Sequence, residues 1–512
     1  MYDYVKKILH AHARVYDVAT ETSLDAMAKL SQRLEQPVFL KREDQQPVFS
    51  FKLRGAYNKI ANLAPKDRSK GVICASAGNH AQGVALAAQR CHTTAVIVMP
   101  ETTPAIKVQS VRALGGDVVL IGDTFDEAYT HARQLEAERG LCFIHPYDDP
   151  DVIAGQGTIG MELLRQHSQP MEALFIAVGG GGLIAGVSAY VKALRPDIKI
   201  IGVEPEDAPS MERALAAGER VVLDEVGIFA DGVAVRQVGA ETFRIAQETV
   251  DDMVLVSTDE ICAAIRDIYD DTRSIAEPAG ALGVAGLKKY SRRRPKGEGS
   301  LVAINCGANI NFDRLRHVAE RAEYGEQREA LLAVTIPEEP GSFLQFCQVL
   351  GKRSITEFNY RFAHPRRAQV FIGVEIHGED QRHTIVAALE ARGWSVVDMT
   401  GNEMAKLHVR YMVGGRAPGL VDEVIYRVQF PERPGALLRF LSGWGGQGGA
   451  PWNISLFHYR NHGSAYGRVL VGLQIPPPER SRFEAFLRQL EYHYLDESQN
   501  PGYDLFLGCE RY

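Results

Sequence analysis

The sequence of 512 residues has few cysteines, and none of them lies in a spacing that forms a metal or disulfide motif. They are scattered, odd in number and never arranged as C-x-x-C: Cys74, Cys91, Cys142, Cys262, Cys306, Cys347 and Cys509. This pattern argues against a disulfide framework and against a zinc site. We therefore expect a protein of a reducing compartment, without a bound metal.

The sequence also lacks an excess of positive charge. Its 57 lysines and arginines face 64 acidic residues, which leaves a formal net charge of −7. A mildly acidic chain does not offer the bulk positive surface that nucleic-acid binding requires. We expect no nucleic-acid partner.

Long uninterrupted hydrophobic runs are missing as well. The N-terminal segment has no long apolar core, so it does not resemble a signal peptide. One uncharged stretch, LFIAVGGGGLIAGVSAYV from Leu174 to Val191, contains four consecutive glycines that would break a bilayer helix. Its flanks predict a strand followed by a helix. We expect a cytoplasmic protein with no membrane partner.

From about Pro37 to Phe312 the sequence alternates short β-branched runs with longer amphipathic stretches. The runs that predict strands are PVFLKRE, GVICAS, TAVIVMP, DVVLIG, LCFIHPY, ALFIAV, KIIGVEP, DMVLVS and LVAINC. Such an alternation predicts an α/β fold around a parallel sheet that is buried on both faces. Ligands bind these sheets at the carboxyl ends of the strands, so the loops after the strands are the candidate sites.

The C-terminal part of the chain contains an internal duplication. The segment IPEEPGSFLQFCQVL from Ile336 matches FPERPGALLRFLSGW from Phe430, and ITEFNYR from Ile355 matches ISLFHYR from Ile454. Each copy predicts strand, Pro-Gly turn, helix, strand, strand, helix, strand, which is the order of a ferredoxin-like βαββαβ unit. We expect a pair of small α+β modules.

A run of four glycines follows the predicted strand ALFIAV and precedes a predicted helix. The loop from Gly179 to Leu183 would present unpaired N–H groups to an anion, with the helix dipole adding to the attraction. The same letters satisfy the G-x-G-x-x-A dinucleotide pattern, and Glu204 follows at about the expected distance. A tight strand-to-helix turn without a ligand is a third interpretation. This motif alone leaves the three open.

A second loop, CASAGNHAQG, ends the predicted strand GVICAS. Its small residues Ser76, Ala77 and Gly78 allow close approach, and Asn79 offers a side-chain amide at a helix N-terminus. Two such loops suit a ligand that carries two anionic groups on a small frame. Alternatively, Asn79 is a plain N-cap. We expect His80 to be packed or capping.

Two further residues, Lys52 and Cys306, together with the two loops suggest one cofactor, and Glu277 stands in a further motif without an assigned role. Lys52 lies in SFKLRGA, Cys306 ends the predicted strand LVAINC, and Glu277 precedes a proline in AEPAGA. Pyridoxal phosphate needs a lysine for a Schiff base, a glycine loop for its phosphate and a partner for its ring nitrogen. Taken singly, Lys52 could be a surface cation, Cys306 a core residue and Glu277 a helix N-terminal charge.

Together the motifs S-F-K-x-R-G-A, S-A-G-N-H-A-Q-G, G-G-G-G-L, E-P-A-G-A and C-G-A-N resemble the serine/threonine dehydratases among the fold-type II pyridoxal-phosphate enzymes. With the duplicated tail, the whole chain is similar to the biosynthetic threonine deaminases of that family. The resemblance implies a tryptophan-synthase-β-like catalytic domain over 1–322, with a smaller subdomain at about 45–145. It also implies two ACT-like regulatory domains of ferredoxin fold, at 330–401 and 424–497.

The resemblance also implies roles for the residues of these motifs. Lys52 would form the Schiff base and act as catalytic base, and Phe51 would lie against the cofactor ring. Asn79 would bond the 3′-oxygen, and Cys306 would face the ring nitrogen. The phosphate would bind Gly179, Gly180, Gly181, Gly182 and Leu183, and the substrate carboxylate would bind Ser76, Ala77, Gly78 and Asn79. We interpret Arg54 as a support for the loop's geometry, without a direct role in the chemistry.

The implied activity is the conversion of L-threonine to 2-oxobutanoate and ammonia, with L-serine as a second substrate. It is the first step of isoleucine biosynthesis, and isoleucine and valine would act as opposing effectors of a homotetramer. The candidate effector contacts are two turns and four strand residues: Pro340–Phe343, Pro434–Leu437, Asn359, Tyr360, His458 and Tyr459. Alternatives are a dinucleotide oxidoreductase, a non-catalytic amino-acid sensor, and tail modules that are only structural or dimerising.

Overall fold

The computed structural model describes residues 2–294, 297–326, 328–412, 414–431, 438, 441, 452–460, 466–489 and 493–507. The chain divides into two compact units, Met1–Gly325 and Glu326–Tyr512. Among the described residues, none of the helices combines the length and the apolar character needed to cross a lipid bilayer.

The strands of the first unit are β1 (Leu24–Ala26), β2 (Val38–Arg42), β3 (Val72–Ala75), β4 (Ala95–Met99), β5 (Asp117–Leu120), β6 (Cys142–Phe143), β7 (Met171–Ala177), β8 (Lys199–Pro205), β9 (Asp252–Val256) and β10 (Ser300–Asn305). Its helices are α1 (Tyr2–Val15), α2 (Ala28–Leu34), α3 (Lys52–Asn62), α4 (Pro65–Arg68), α5 (Asn79–Arg90), α6 (Ala105–Ala113), α7 (Phe125–Arg139), α8 (Pro150–Gln166), α9 (Gly182–Leu194), α10 (Ser210–Ala217), α11 (Ala240–Thr249), α12 (Thr258–Thr272), α13 (Pro278–Arg292) and α14 (Arg314–Gly325).

A six-stranded sheet in the order β1-β2-β10-β7-β8-β9 forms the larger core of this unit. Only β1 pairs antiparallel, as the edge of the sheet. The central strands β10 and β7 are buried along almost their whole length, as parallel strands covered by helices on both faces must be. The expected α/β fold is confirmed.

A second, four-stranded parallel sheet has the order β5-β4-β3-β6. Successive residues of β3 enter different apolar clusters: Val72 and Cys74 pack in one, and Ile73 and Ala75 in the other. This alternation follows from the two-residue period of a strand and shows that both faces are covered. β6 is much shorter than the predicted strand LCFIHPY, because the chain turns into a loop from Ile144 onward.

Helices α8 and α9 pack so closely that glycine is required where they cross. A Cβ at Gly186 would lie 2.3 Å from the carbonyl oxygen of Ile153 and 2.7 Å from the backbone nitrogen of Gly157. Both atoms belong to the backbone of α8, so neither can move aside cheaply. The α8–α9 pair is therefore a rigid layer beneath the loops that precede each helix.

The strands of the second unit are β11 (Glu329–Pro337), β12 (Ile355–Arg361), β13 (Arg367–Glu375), β14 (Ser395–Asp398), β15 (Glu423–Pro431), β16 (Asn453–Arg460), β17 (Tyr466–Gln474) and β18 (His493–Asp496). Its described helices are α15 (Ser342–Leu350), α16 (Glu379–Glu390), α17 (Glu403–Leu407), α18 (Arg480–Gln489) and α19 (Pro501–Phe506).

These strands form one eight-stranded sheet in the order β14-β11-β13-β12-β16-β17-β15-β18. The first copy has the predicted βαββαβ order, and its four strands lie in the sequence of a ferredoxin-like sheet. The second copy arranges its strands in the same way. The two copies join through the antiparallel pair β12–β16, so the duplication produces a continuous sheet.

A buried glutamate that accepts a hydrogen bond from a hydroxyl recurs in both copies. Glu329 begins β11 and accepts a hydrogen bond from Thr356 of β12. At the equivalent positions, Glu423 begins β15 and accepts a hydrogen bond from Ser455 of β16. A carboxylate buried at this depth is stabilised by a neighbouring cation.

The cations come from different places in the two copies. In the first copy, Arg410, which follows the module's last strand, lies 3.2 Å from Glu357 and 3.6 Å from Glu329. In the second, Arg361 of the first copy pairs with Glu423. The guanidinium of Arg361 also donates to the carbonyl oxygen of Leu507 at 2.6 Å. Arg361 therefore ties the second copy to the first.

Gly186→Ala tests the close contact between α8 and α9. We expect a net loss of about 1–3 kcal/mol of unfolding free energy, because the overpacking cost exceeds the gain in helix propensity. Gly160→Ala is the matched control in the same helix pair, since its nearest contact, the carbonyl oxygen of Val187, is at 3.1 Å. Urea unfolding of both variants gives the comparison. A Gly186→Ala protein as stable as Gly160→Ala would contradict the packing argument.

Candidate active site

Lys52 is the first residue of α3, and its amine reaches a carbonyl of another loop. The N-cap is Phe51, and Lys52 Nζ donates to the carbonyl oxygen of Pro146 at 3.0 Å and lies 5.3 Å from the centre of the Phe51 ring. Burial lowers the pKa of Lys52 to about 8. An amine in this setting has a substantial neutral, nucleophilic fraction near neutral pH.

The glycine loop approaches its neighbours too closely for side chains. A Cβ at Gly180 would lie 2.2 Å from the ring of Tyr147, and one at Gly179 would lie 2.9 Å from the Cα of Val233. Gly181 has φ of +94°, a backbone conformation that favours glycine. The loop thus packs its bare backbone against Tyr147 and Val233, and α9 begins at Gly182 with N–H groups that lack intrahelical acceptors.

Glu204, the acidic residue of the dinucleotide interpretation, makes hydrogen bonds at the start of α10. It is buried and accepts hydrogen bonds from Ser210 Oγ at 3.2 Å, from the backbone nitrogen of Met211 at 2.8 Å and from that of Glu212 at 2.9 Å. Its carboxylate therefore caps α10. Glu204 is therefore not available to bind a ribose, and the dinucleotide hypothesis required such a residue.

The loop before α5 places Asn79 at the first helical position, with Gly78 as the N-cap residue. Asn79 Nδ2 donates to Glu277 Oε1 at 2.6 Å, so the interpretation of Asn79 as a plain N-cap is wrong. His80 is buried and donates from Nε2 to the carbonyl oxygen of Ile144 at 2.8 Å, and burial lowers its pKa to about 3. His80 is a neutral packed residue, as expected.

Cys306 directly follows β10 and lies beside the segment that carries Lys52. The backbone nitrogen of Phe51 donates to the carbonyl oxygen of Cys306 at 3.2 Å, and Cys306 Sγ donates to that of Ala279 at 3.3 Å. Burial raises the pKa of the Cys306 thiol. A neutral, uncharged group therefore stands at this strand end.

Sequence reasoning missed the loop after β6, because it assigned these residues to a strand. Pro146 holds the amine of Lys52, and Tyr147 packs against the glycine loop. His145 Nδ1 accepts hydrogen bonds from the backbone nitrogens of Tyr147, at 3.3 Å, and Asp148, at 2.8 Å. The Pro-Tyr-Asp-Asp-Pro letters after an apolar run were the available signal for a loop.

Arg54 lies in the first turn of α3 and is completely buried in a cluster of opposite charges. Nε and Nη2 donate to the two oxygens of Glu43, each at 2.8 Å, and Nη1 donates to Glu162 Oε1 at 2.6 Å. Lys41 Nζ donates to Glu162 Oε2 at 2.5 Å. The cluster fastens α3 to α8 and to the end of β2, so Arg54 supports the geometry of this segment.

Of the candidate effector contacts in the tail, the structure brings some into proximity and describes others only separately or not at all. In the register of β12 and β16, Asn359 stands opposite His458, and Tyr360 next to it donates to Glu338 of the first Pro-Gly turn. Tyr459 is buried in the core of the sheet. In the first turn, Pro340–Phe343, Gly341 has φ of +93°. The second turn, Pro434–Leu437, lies outside the described residues.

The residues gathered around Lys52 fit pyridoxal phosphate. Lys52 has a backbone carbonyl as its hydrogen-bond partner, so its amine stays available to condense with an aldehyde. The glycine loop leaves no room for Cβ atoms and offers a helix N-terminus to a phosphate. The third element, the neutral thiol of Cys306, suits a ring nitrogen that needs no charged partner.

Family models match both parts of the chain. A model described as pyridoxal-phosphate dependent enzyme matches residues 15–307, and a model of the C-terminal regulatory domain of threonine dehydratase matches 320–409 and 414–507. The chain is therefore a pyridoxal-phosphate-dependent enzyme of the fold-type II class with a C-terminal regulatory part.

Curated relatives narrow the class. The chain is 57% identical over 510 residues to a biosynthetic L-threonine dehydratase of Burkholderia multivorans, with 99% of each chain covered. It is 52% identical over 507 residues to that of Escherichia coli, covering 99% of this chain and 97% of the relative. A solved structure of processed threonine deaminase isoform 2 from Solanum lycopersicum matches with 55% identity and a TM-score of 0.61, covering 63% and 88% of the two chains. The chain belongs to the biosynthetic threonine dehydratases.

Arg54→Lys tests the buried cluster. A lysine cannot hold two carboxylates in bidentate fashion, so we expect a loss of about 3–5 kcal/mol of unfolding free energy. Arg195→Lys is the matched control, because Arg195 is also bidentate, to Asp197, but on the surface. We expect the control to change stability by less than about 0.5 kcal/mol. Equal losses in denaturant unfolding would show that burial of the cluster is not decisive.

Proposed function

We propose that this enzyme converts L-threonine to 2-oxobutanoate and ammonia, by loss of the β-hydroxyl and then of the amine, as the first step of isoleucine biosynthesis. L-Serine, which also carries a β-hydroxyl, is the second substrate. The observation that carries the proposal is the amine of Lys52, desolvated at the start of α3 and facing the loop after β6. The names of the relatives support the choice of threonine.

Pyridoxal phosphate, when bound, supplies an aldehyde for covalent capture and a ring that withdraws electrons from Cα of the attached amino acid. Lys52 would provide the covalent anchor, and Phe51 would lie against the ring. Gly179, Gly180, Gly181, Gly182 and Leu183 would hold the phosphate through backbone N–H groups. Asn79 would donate to the 3′-oxygen, and Cys306 would face the ring nitrogen without adding a charge.

The substrate is oriented by the loop from Ser76 to Asn79, whose backbone N–H groups and helix N-terminus attract its carboxylate. With the amino acid held there, Lys52 Nζ takes the proton from Cα. Its lowered pKa supports this role, because only the neutral amine can accept a proton. The hydrogen bond to the carbonyl of Pro146 orients the amine while its lone pair stays free.

We assign catalysis to residues 1–322, including a smaller subdomain at about 45–145. We assign regulation to two ACT-like modules, at 330–401 and 424–497. Isoleucine inhibits through these modules, and valine opposes it. The pairing of Asn359 with His458 across the junction of the copies supports an effector site at that junction. The enzyme works as a cytoplasmic homotetramer.

Lys52→Ala tests the anchor and the base together. The wild-type protein is expected to be yellow and to retain the chromophore on Lys52 after borohydride reduction. The variant is expected to lose the reducible chromophore and at least about 10²–10⁴-fold in turnover, the usual cost of a lost general base. Lys59→Ala is the control on the same helix, since Lys59 pairs with Asp149 at 2.8 Å. Near-normal turnover by Lys52→Ala would refute the assignment.

His458→Ala tests the effector site at the junction of the two copies. We expect the isoleucine concentration for half-maximal inhibition to rise about tenfold, because coupling energies of 1–3 kcal/mol depend on a few contacts. His383→Ala, on the exposed side of α16, is the control histidine of the same unit. Threonine turnover is measured against isoleucine concentration for each protein. An unchanged inhibition curve for His458→Ala would place the effector elsewhere.

A further inference from the structure

The side-chain amide of Asn79 is held by two residues that have no part in the mechanism above. Asn79 Nδ2 donates to Glu277 Oε1 at 2.6 Å, and Asn79 Oδ1 accepts from Asn309 Nδ2 at 2.7 Å. The backbone nitrogen of Asn309 donates to Glu277 Oε2 at 3.0 Å, which closes the triangle. Three polar residues from distant parts of the chain thus form one small network.

The network permits a single orientation of the Asn79 amide. Asn309 Nδ2 also donates to the carbonyl oxygen of Val48 at 2.8 Å, and a carbonyl can only accept. Asn309 must therefore present a donor to Asn79, and the atom of Asn79 that meets it must be the oxygen. If the amide of Asn79 were reversed, an NH₂ group would face Asn309 Nδ2, and an oxygen would face the carboxylate of Glu277.

A carboxylate at position 277 is needed because both of its oxygens accept. Oε1 accepts from Asn79 and Oε2 from the backbone of Asn309. A glutamine could accept at one of these contacts only, and its NH₂ group would face a donor at the other. Glu277 is buried, with 4% of its surface exposed, and a Cβ at Gly307 would lie 2.4 Å from Oε1. The pocket thus holds the carboxylate against Asn79 and Asn309.

We propose that Glu277 and Asn309 are positioning residues that fix the Asn79 amide as a hydrogen-bond donor toward the cofactor's 3′-oxygen. One Nδ2 hydrogen of Asn79 goes to Glu277, and the second is left for that oxygen. A fixed donor stabilises the ionised 3′-oxygen over the protonated one. The inference rests on the proposed position of the cofactor beside Asn79.

The experiment uses the full-length holoenzyme and two readouts other than activity: the absorption spectrum of the bound cofactor and its dissociation constant. In Asn79→Ala we expect absorbance to move from the long-wavelength band of the ionised 3′-oxygen to the short-wavelength band of the protonated form. In Glu277→Gln we expect part of the same change, with cofactor binding weakened about tenfold, the equivalent of one hydrogen bond to a charged group. Asn309→Ser should change both readouts in the same direction.

Glu204→Gln is the matched control, because Glu204 is an equally buried carboxylate that caps α10 instead of contacting Asn79. We expect it to lower thermal stability and leave the spectrum unchanged. If Glu277→Gln does not fold, Asn309→Ser decides the question.

Two outcomes separate the inference from the function on which it rests. A changed spectrum in Asn79→Ala, with wild-type spectrum and affinity in Glu277→Gln and Asn309→Ser, would overturn the positioning role and leave the proposed cofactor site standing. An unchanged spectrum in Asn79→Ala would mean that Asn79 does not meet the 3′-oxygen. That result would overturn the proposed cofactor position and the inference together.

Discussion

The catalytic unit depends on a buried cluster in which the carboxylates of Glu43 and Glu162 already have cationic partners. Arg54 forms ion pairs with Glu43 and Glu162, and Lys41 forms an ion pair with Glu162. All four side chains are fully buried. Burial lowers the pKa of two lysines close in sequence, Lys41 and Lys52, but their partners differ. Lys41 pairs with the carboxylate of Glu162 at 2.5 Å, whereas Lys52 has a backbone carbonyl as its partner, 3.0 Å away. Burying a charged amine without a carboxylate beside it costs more free energy than deprotonating it. Lys52 therefore has the larger neutral fraction and is the nucleophilic lysine.

The sequence predicts those features that depend on local pattern. Near-continuous apolar strands indicated the parallel sheet, and the glycine run indicated the backbone-lined loop before α9. The pattern was wrong for the segment after Phe143, because hydrophobicity extends past the end of the strand while His145 and Pro146 turn the chain. Here the chain turns because backbone N–H groups donate to the side chain of His145. Such a strand end is hard to recognise in the sequence when the apolar residues continue past it.

The partners of Asn79 could not be predicted in the same way. Glu277 lies 198 residues away in sequence and Asn309 lies 230 residues away, so no spacing rule connects them. Each alone reads as a helix-terminal charge or a polar loop residue, and the local interpretation of Asn79 as an N-cap was the wrong one. Only the crossing of three chain segments reveals that the polarity of one amide is determined by a neighbouring carbonyl and carboxylate.

The duplicated tail shows which structural features can be predicted from a sequence repeat and which cannot. Both copies keep the buried pair of a glutamate and a hydroxyl, so the repeat correctly transfers the local structure from one copy to the other. The counter-ion does not transfer: the first copy uses Arg410 from its own trailing segment, and the second uses Arg361 from its neighbour. Breaking the junction would remove the cation that neutralises Glu423 and leave a buried charge with hydrogen bonds alone, which is destabilising. The second copy therefore depends on the first for this cation, although the strands of the two copies are arranged in the same order.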